Sequence, residues 1–98
     1  MRGGAPAAAP VVRVTPNPFS RETTLEFALE EAAAVSLRIY DATGRLVQTL
    51  VEGQWSRGPQ VAIWRGRDAA GRPVPSGMYY YQLITGETSL SGSLLLLR

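Results

Sequence analysis

The sequence predicts an all-β fold, a seven-stranded antiparallel β-sandwich without a disulfide. Three observations predict it. Short runs alternate apolar and polar residues, the pattern of strands half-buried against a core. Gly, Pro, Asn and Asp recur between these runs every 8–12 residues or so, and no segment holds a helical period. The chain also contains no cysteine, so packing and sheet hydrogen bonds must hold it together.

The elements follow in order. Residues 1–10, Ala/Gly/Pro-rich, read as a flexible or polyproline-like linker, or an expression remnant, ahead of one domain over 11–98. They contain no continuous apolar core of the kind a signal peptide carries. Residues 11–15 form a first strand, ended by Pro16-Asn17-Pro18 because proline cannot donate to a ladder. In 23–29, Leu25, Phe27 and Leu29 share one face. In 35–40, Val35, Leu37 and Ile39 face one way, with Ser36, Arg38 and Tyr40 opposite. Asp41-Ala42-Thr43-Gly44 turns the chain into a hairpin strand at 46–51, with Gly44 taking the left-handed position.

Residues 52–59, containing Gly53, Gly58 and Pro59, read as a loop before a strand at 60–64. The period of that strand is ambiguous, since Val61 and Ile63 oppose Ala62 and Trp64. A long turn-rich loop follows over 66–77. It leads into 78–85, where Tyr79, Tyr81 and Leu83 oppose Met78, Tyr80, Gln82 and Ile84. After a turn at Gly86-Glu87 the last strand spans 89–97, with Gly92 read as a bulge or twist point. Seven such strands indicate the immunoglobulin-like sandwich; a closed barrel is the alternative.

Composition excludes most chemistry. The 98 residues allow one domain, burying roughly 60–65% of its unfolded surface. There is no histidine to serve as a general base or metal ligand. All ten basic residues are arginine, so Schiff-base and lysine isopeptide chemistry are absent. The net charge of +2 is small and the arginines are scattered, which argues against a nucleic-acid partner. No apolar run reaches the roughly 18 residues of a membrane span. Asp41 and Asp68 each open a turn and read as caps for backbone N–H groups. Calcium is the alternative, weakened by one carboxylate per loop. Trp55, Tyr40 and Tyr80 could stack on sugars, or simply cover a loop and pair across strands. Arg38, Arg65 and Arg67 are expected to be solvated or paired with Glu26, Asp68 or Glu87. The sequence supplies no catalytic group and no cofactor or metal site.

One ordered set of motifs is more specific. It runs Pro16-Asn17-Pro18-Phe19, Thr23 to Leu29, Val35 to Asp41, Gly44-Arg45-Leu46-Val47 and Trp64-Arg65-Gly66-Arg67-Asp68. Gly71-Arg72-Pro73-Val74-Pro75-Ser76-Gly77 and Tyr79-Tyr80-Tyr81-Gln82-Leu83 complete it. Over about residues 14 to 98 this resembles the C-terminal sorting domain of type IX secretion substrates, which belongs with the Ig-like domain of the flagellar hook-capping protein. The family commonly has Trp-Asp-Gly where this chain has Trp64-Arg65-Gly66, inverting a charge at a turn.

The resemblance implies a non-catalytic bacterial domain at the end of a larger secreted protein. Its partners would be the preceding cargo domain, the outer-membrane translocon and the surface-attachment machinery. Its destination would be the cell surface or medium. Within the motifs, Asn17, Pro18, Phe19, Gly44, Trp64, Gly71, Pro73, Pro75, Gly77, Tyr79, Tyr81 and Leu83 are expected to be structural, with Phe19 an apolar plug. Leu95, Leu97 and Arg98 on the last strand are the recognition candidates. A self-assembling module is the alternative, motivated by the apolar stretches 94–97 and Val11-Val12 as edge strands. A carbohydrate-binding accessory module centred on Trp55 is a further one.

Overall fold

A computed structural model describes residues 11–86 and 88–98. The linker reading of 1–10 and any ion pair to Glu87 lie outside the described residues. Seven strands are present: β1 Arg13–Thr15, β2 Thr23–Leu29, β3 Ala33–Asp41, β4 Leu46–Trp55, β5 Gly58–Trp64, β6 Gly77–Thr85 and β7 Thr88–Leu96. They form two antiparallel sheets, β1-β2-β5 and β4-β3-β6-β7.

The period-2 runs point as expected. Leu25, Phe27 and Leu29 of β2 are buried against Val35, Leu37 and Ile39 of β3 and Tyr79, Tyr81 and Leu83 of β6. In β5 the ambiguity resolves toward Trp64 and Ala62, which are buried, while Val61 and Ile63 face out. Burying the indole removes the larger apolar area from water.

Several local expectations are corrected. The loop expected at 52–59 shrinks to residues 56–57, because β4 continues to Trp55 and β5 begins at Gly58. Both are edge strands of their sheets, and an edge tolerates proline and glycine that a central ladder would reject. Trp55 is thereby half-buried, packed against the core. Secondly, Gly92 is not a bulge, since the β6–β7 register runs without a shift through Tyr81↔Gly92. The irregularities lie between β3 and β4 instead, at Leu37/Arg38 and Ile39/Tyr40. Thirdly, Arg38 pairs with Glu52 and Arg65 with Glu22, each at 3.4 Å, and Arg67 donates to the Gly71 carbonyl at 2.8 Å. Arg38 lies in the four-stranded sheet and Glu26 in the other, so the nearer β4 carboxylate captures it. Both pairs are solvent-exposed and contribute little stability.

Tyr40 and Tyr80 sit directly opposite each other in the β3–β6 register on the outer face, the cross-strand pairing considered above. The first strand is shorter than expected, three residues rather than five. At Pro16-Asn17-Pro18 the chain leaves β1 and its pairing with β2 and crosses to the other sheet, where Phe19 bridges in parallel to Leu96 of β7.

Candidate functional site

The crossing gathers most of the motif residues at one end of the sandwich. Proline at 16 and 18 interrupts the ladder, and the buried Thr23 hydroxyl fixes the detour by donating to the Pro16 carbonyl at 2.6 Å. Asn17 then acts as a surrogate strand. Its Nδ2 donates to the Ser93 carbonyl at 3.2 Å, and its Oδ1 accepts from the Leu95 N–H at 2.9 Å. Phe19 continues the pattern, donating to the Leu95 carbonyl at 3.0 Å and accepting from the Leu97 N–H at 2.8 Å.

The outer edge of β7 from Ser93 to Leu97 is therefore occupied by the protein's own chain, and Leu94 and Leu96 are fully buried. That stretch is not the open edge on which the self-assembling alternative was based.

Phe19 enters the core as the plug expected of it. Its ring lies 5.5 Å from that of Trp64, which in turn meets Tyr79 edge-on at 5.0 Å. The Trp64 indole N–H donates to the Arg67 carbonyl at 2.9 Å, tying the start of the long loop to the core. The Tyr79 hydroxyl donates to the Pro75 carbonyl at 2.6 Å, tying its end. Burial pushes the Tyr79 phenol up, and the nearby Asp41 charge adds to that shift.

Arg98 fastens the middle of the loop. Its N–H donates to the Ser76 hydroxyl at 2.8 Å, Nε to the Val74 carbonyl at 2.8 Å and Nη2 to the Gly66 carbonyl at 2.6 Å. Gly66 has φ +67, and a Cβ there would lie 2.7 Å from Arg98 Nη2. Only glycine suits both the left-handed backbone and the docked guanidinium. Of the three recognition candidates, then, Arg98 is a latch on the loop, Leu95 is half-buried and Leu97 stays half-exposed. Arg98→Ala is expected to lower stability by about 1 kcal/mol, the exposed setting limiting the gain. Faster hydrogen exchange confined to residues 66–76 would show that the latch was lost.

Asp41 and Asp68 cap their turns. Asp41 Oδ1 accepts from the Thr43 and Arg45 N–H groups and the Thr43 hydroxyl, and Asp68 Oδ1 accepts from the Ala70 and Arg72 N–H groups, all within 3.0 Å. Gly44 and Gly71 follow with φ +86 and +83. The Thr43 hydroxyl, then the Arg45 N–H, holds the Asp41 carboxyl below the ordinary aspartate value of 3.8. A depressed pKa contributes stability that is present above that ordinary value and lost as pH falls through the lower folded one. Denaturant midpoints measured across the acid range should therefore fall for the wild type, and fall less for Asp41→Asn.

The two turns and segment 74–79 enclose an open groove of about 450 Å³. Sequence reasoning did not find this groove or the Arg98 latch, because neither depends on a local pattern. Leu83 and Tyr81 lie deeper in the core and take no part in this end. Among the described residues no group of three or more metal-binding side chains comes together.

Residues 16–89 match the family described as the FlgD Ig-like domain. Solved structures agree. Dimeric latent PorU from Porphyromonas gingivalis superposes with a TM-score of 0.75 at 25% identity, over 99% of this chain and 10% of that one. PorZ, an essential surface component of the type-IX secretion system of the same bacterium, gives 0.63 at 27% identity, over 89% and 11%. FLGD from P. aeruginosa gives 0.62 at 22% identity, over 88% and 70%, a likeness of fold. The chain thus spans about a tenth of the PorU and PorZ chains. No curated protein matches by sequence.

Proposed function

The chain belongs to the FlgD Ig-like domain family, and from that premise we propose that it is a non-catalytic sorting module, directing a larger protein through the type IX secretion system. The observation that carries this reading is the likeness to PorZ, a surface component of the type-IX secretion system, over 89% of the chain at 27% identity. The likeness to PorU from the same bacterium extends over 99% of the chain. The make-up of the domain is consistent with a recognition role: the sequence has no histidine or cysteine, and its motif residues are spent on packing and backbone hydrogen bonds. In this role the domain follows a cargo domain, is read by the outer-membrane translocon and attachment machinery, and reaches the cell surface or medium.

Fusing residues 11–98 to a reporter, in a bacterium with a type IX system, tests the proposal. The reporter is expected at the surface or in the medium. Periplasmic retention, under conditions where an established sorting domain exports the same reporter, would end this reading.

A further inference from the structure

The groove at the motif end is lined by both turn-capping aspartates, and turn capping uses only one oxygen of each. Two carboxylates, Asp41 and Asp68, line it against a single guanidinium, that of Arg45. The chain as a whole is net positive, whereas the lining itself carries one net negative charge; the Arg98 guanidinium at the wall is already engaged with the Val74 and Gly66 carbonyls. Each aspartate spends Oδ1 on its own turn, and no hydrogen bond among the described residues reaches either Oδ2. Arg45 forms no ion pair among them.

Leu46 and Met78, also in the lining, are 50% and 40% exposed. In the sheet register Leu46 lies opposite Tyr40, Tyr40 opposite Tyr80, and Met78 opposite Leu95. The apolar rim therefore continues onto the outer face of the four-stranded sheet. Apolar side chains clustered beside unspent charge are typical of an interaction site.

The walls are also held in place. Arg98 grips the carbonyl of Val74 and the hydroxyl of Ser76, and Tyr79 grips the carbonyl of Pro75. On the opposite side Gln48 Nε2 donates to the Asp68 carbonyl at 3.1 Å, and the Ala69 N–H to the Val47 carbonyl at 3.0 Å. A groove already ordered loses little entropy when it is filled.

We propose that this groove is a docking site for an extended peptide segment, which sets one arginine or lysine side chain against Asp41 and Asp68 and lays apolar neighbours on Leu46 and Met78. The charge excess selects a cation, and the apolar rim selects a peptide over a free cation. The site does not depend on the export reading: the reporter fusion can fail while the groove still binds, and the reverse.

The test is fluorescence anisotropy on the full chain. The probe is a labelled, end-blocked peptide alternating leucine and serine around a central arginine, with its glutamine counterpart as control. The arginine peptide is expected to bind, to weaken as salt is raised, and to bind about tenfold less well to the Asp41→Asn/Asp68→Asn double variant. Asparagine retains the Oδ1 acceptor, so both turns persist. The exposed Leu46→Ser, which leaves the core intact, should weaken binding severalfold and decides the matter if the double variant misfolds. Equal binding of both peptides by the wild type, or undiminished binding by the variants, would overturn the proposal.

Discussion

Trp64→Ala is expected to lower stability by about 3–5 kcal/mol, the range for deleting a large buried aromatic. A domain of this size has only about 5–15 kcal/mol in total, so the variant loses a large share of its stability margin. Trp64 is 1% exposed and wedged between Phe19 and Tyr79. Its loss opens a cavity and strands the Arg67 carbonyl that the indole N–H satisfies. The damage should also spread along the chain: with its ring partner gone, Phe19 loosens, and the β7 edge it covers from Leu95 to Leu97 becomes available for pairing. Far-UV circular dichroism through a urea titration measures the first effect, and light scattering the second. Trp64→Phe, which keeps a ring but loses the donor, should fall between. A Trp64→Ala protein within about 1 kcal/mol of wild type would mean that the indole does not anchor the loop.

Gly92→Val is expected to cost about 3 kcal/mol, the upper end of what overpacking a well-packed core does. The cause is space and not backbone freedom. A Cβ at position 92 would lie within 2.6 Å of the Tyr81 ring carbon Cζ, and the register across Tyr81↔Gly92 is regular. Tyr81 is buried, so its ring cannot step aside freely. A double-mutant cycle separates the two explanations. Combined with Tyr81→Ala, the valine should cost at least about 1 kcal/mol less than it does alone, because the clash has gone. Strict additivity would instead assign the cost to the strand backbone. The cycle is best read by urea melts.

Within the proposed sorting role, these effects separate scaffold from recognition. Changes at Trp64 or Gly92 should reduce export by unfolding the domain. A change at Leu46 or Leu97, both at least half-exposed, leaves the core intact, so any loss of export there reports on a partner's contacts.

Much of the fold was legible in local pattern. The alternation Leu25-Phe27-Leu29, Val35-Leu37-Ile39 and Tyr79-Tyr81-Leu83 named the core faces, because strand geometry sends successive side chains to opposite sides. The Asp41 and Asp68 turns were legible for a related reason, since each carboxylate meets N–H groups two and four residues ahead. The loop expected at 52–59 was misplaced because Gly53, Gly58 and Pro59 carry the same local signal in a loop as in an edge strand, and edge position is a property of the sheet. Gly92 shows the same limit, since the reason for glycine is a ring eleven residues earlier on a neighbouring strand.

The candidate site was the least legible part. Asn17 bonds residues 76 and 78 positions away, and Arg98 bonds residues 22, 24 and 32 positions away. By itself, then, the sequence determined the strands, their buried faces, their turns and the resemblance to a family, all of which depend on near neighbours and their order. Only the tertiary structure decided which edges are covered, that Arg98 is a latch, and that Asp41 and Asp68 share one groove. Those outcomes depend on where distant segments meet, and no local periodicity encodes a meeting across two sheets.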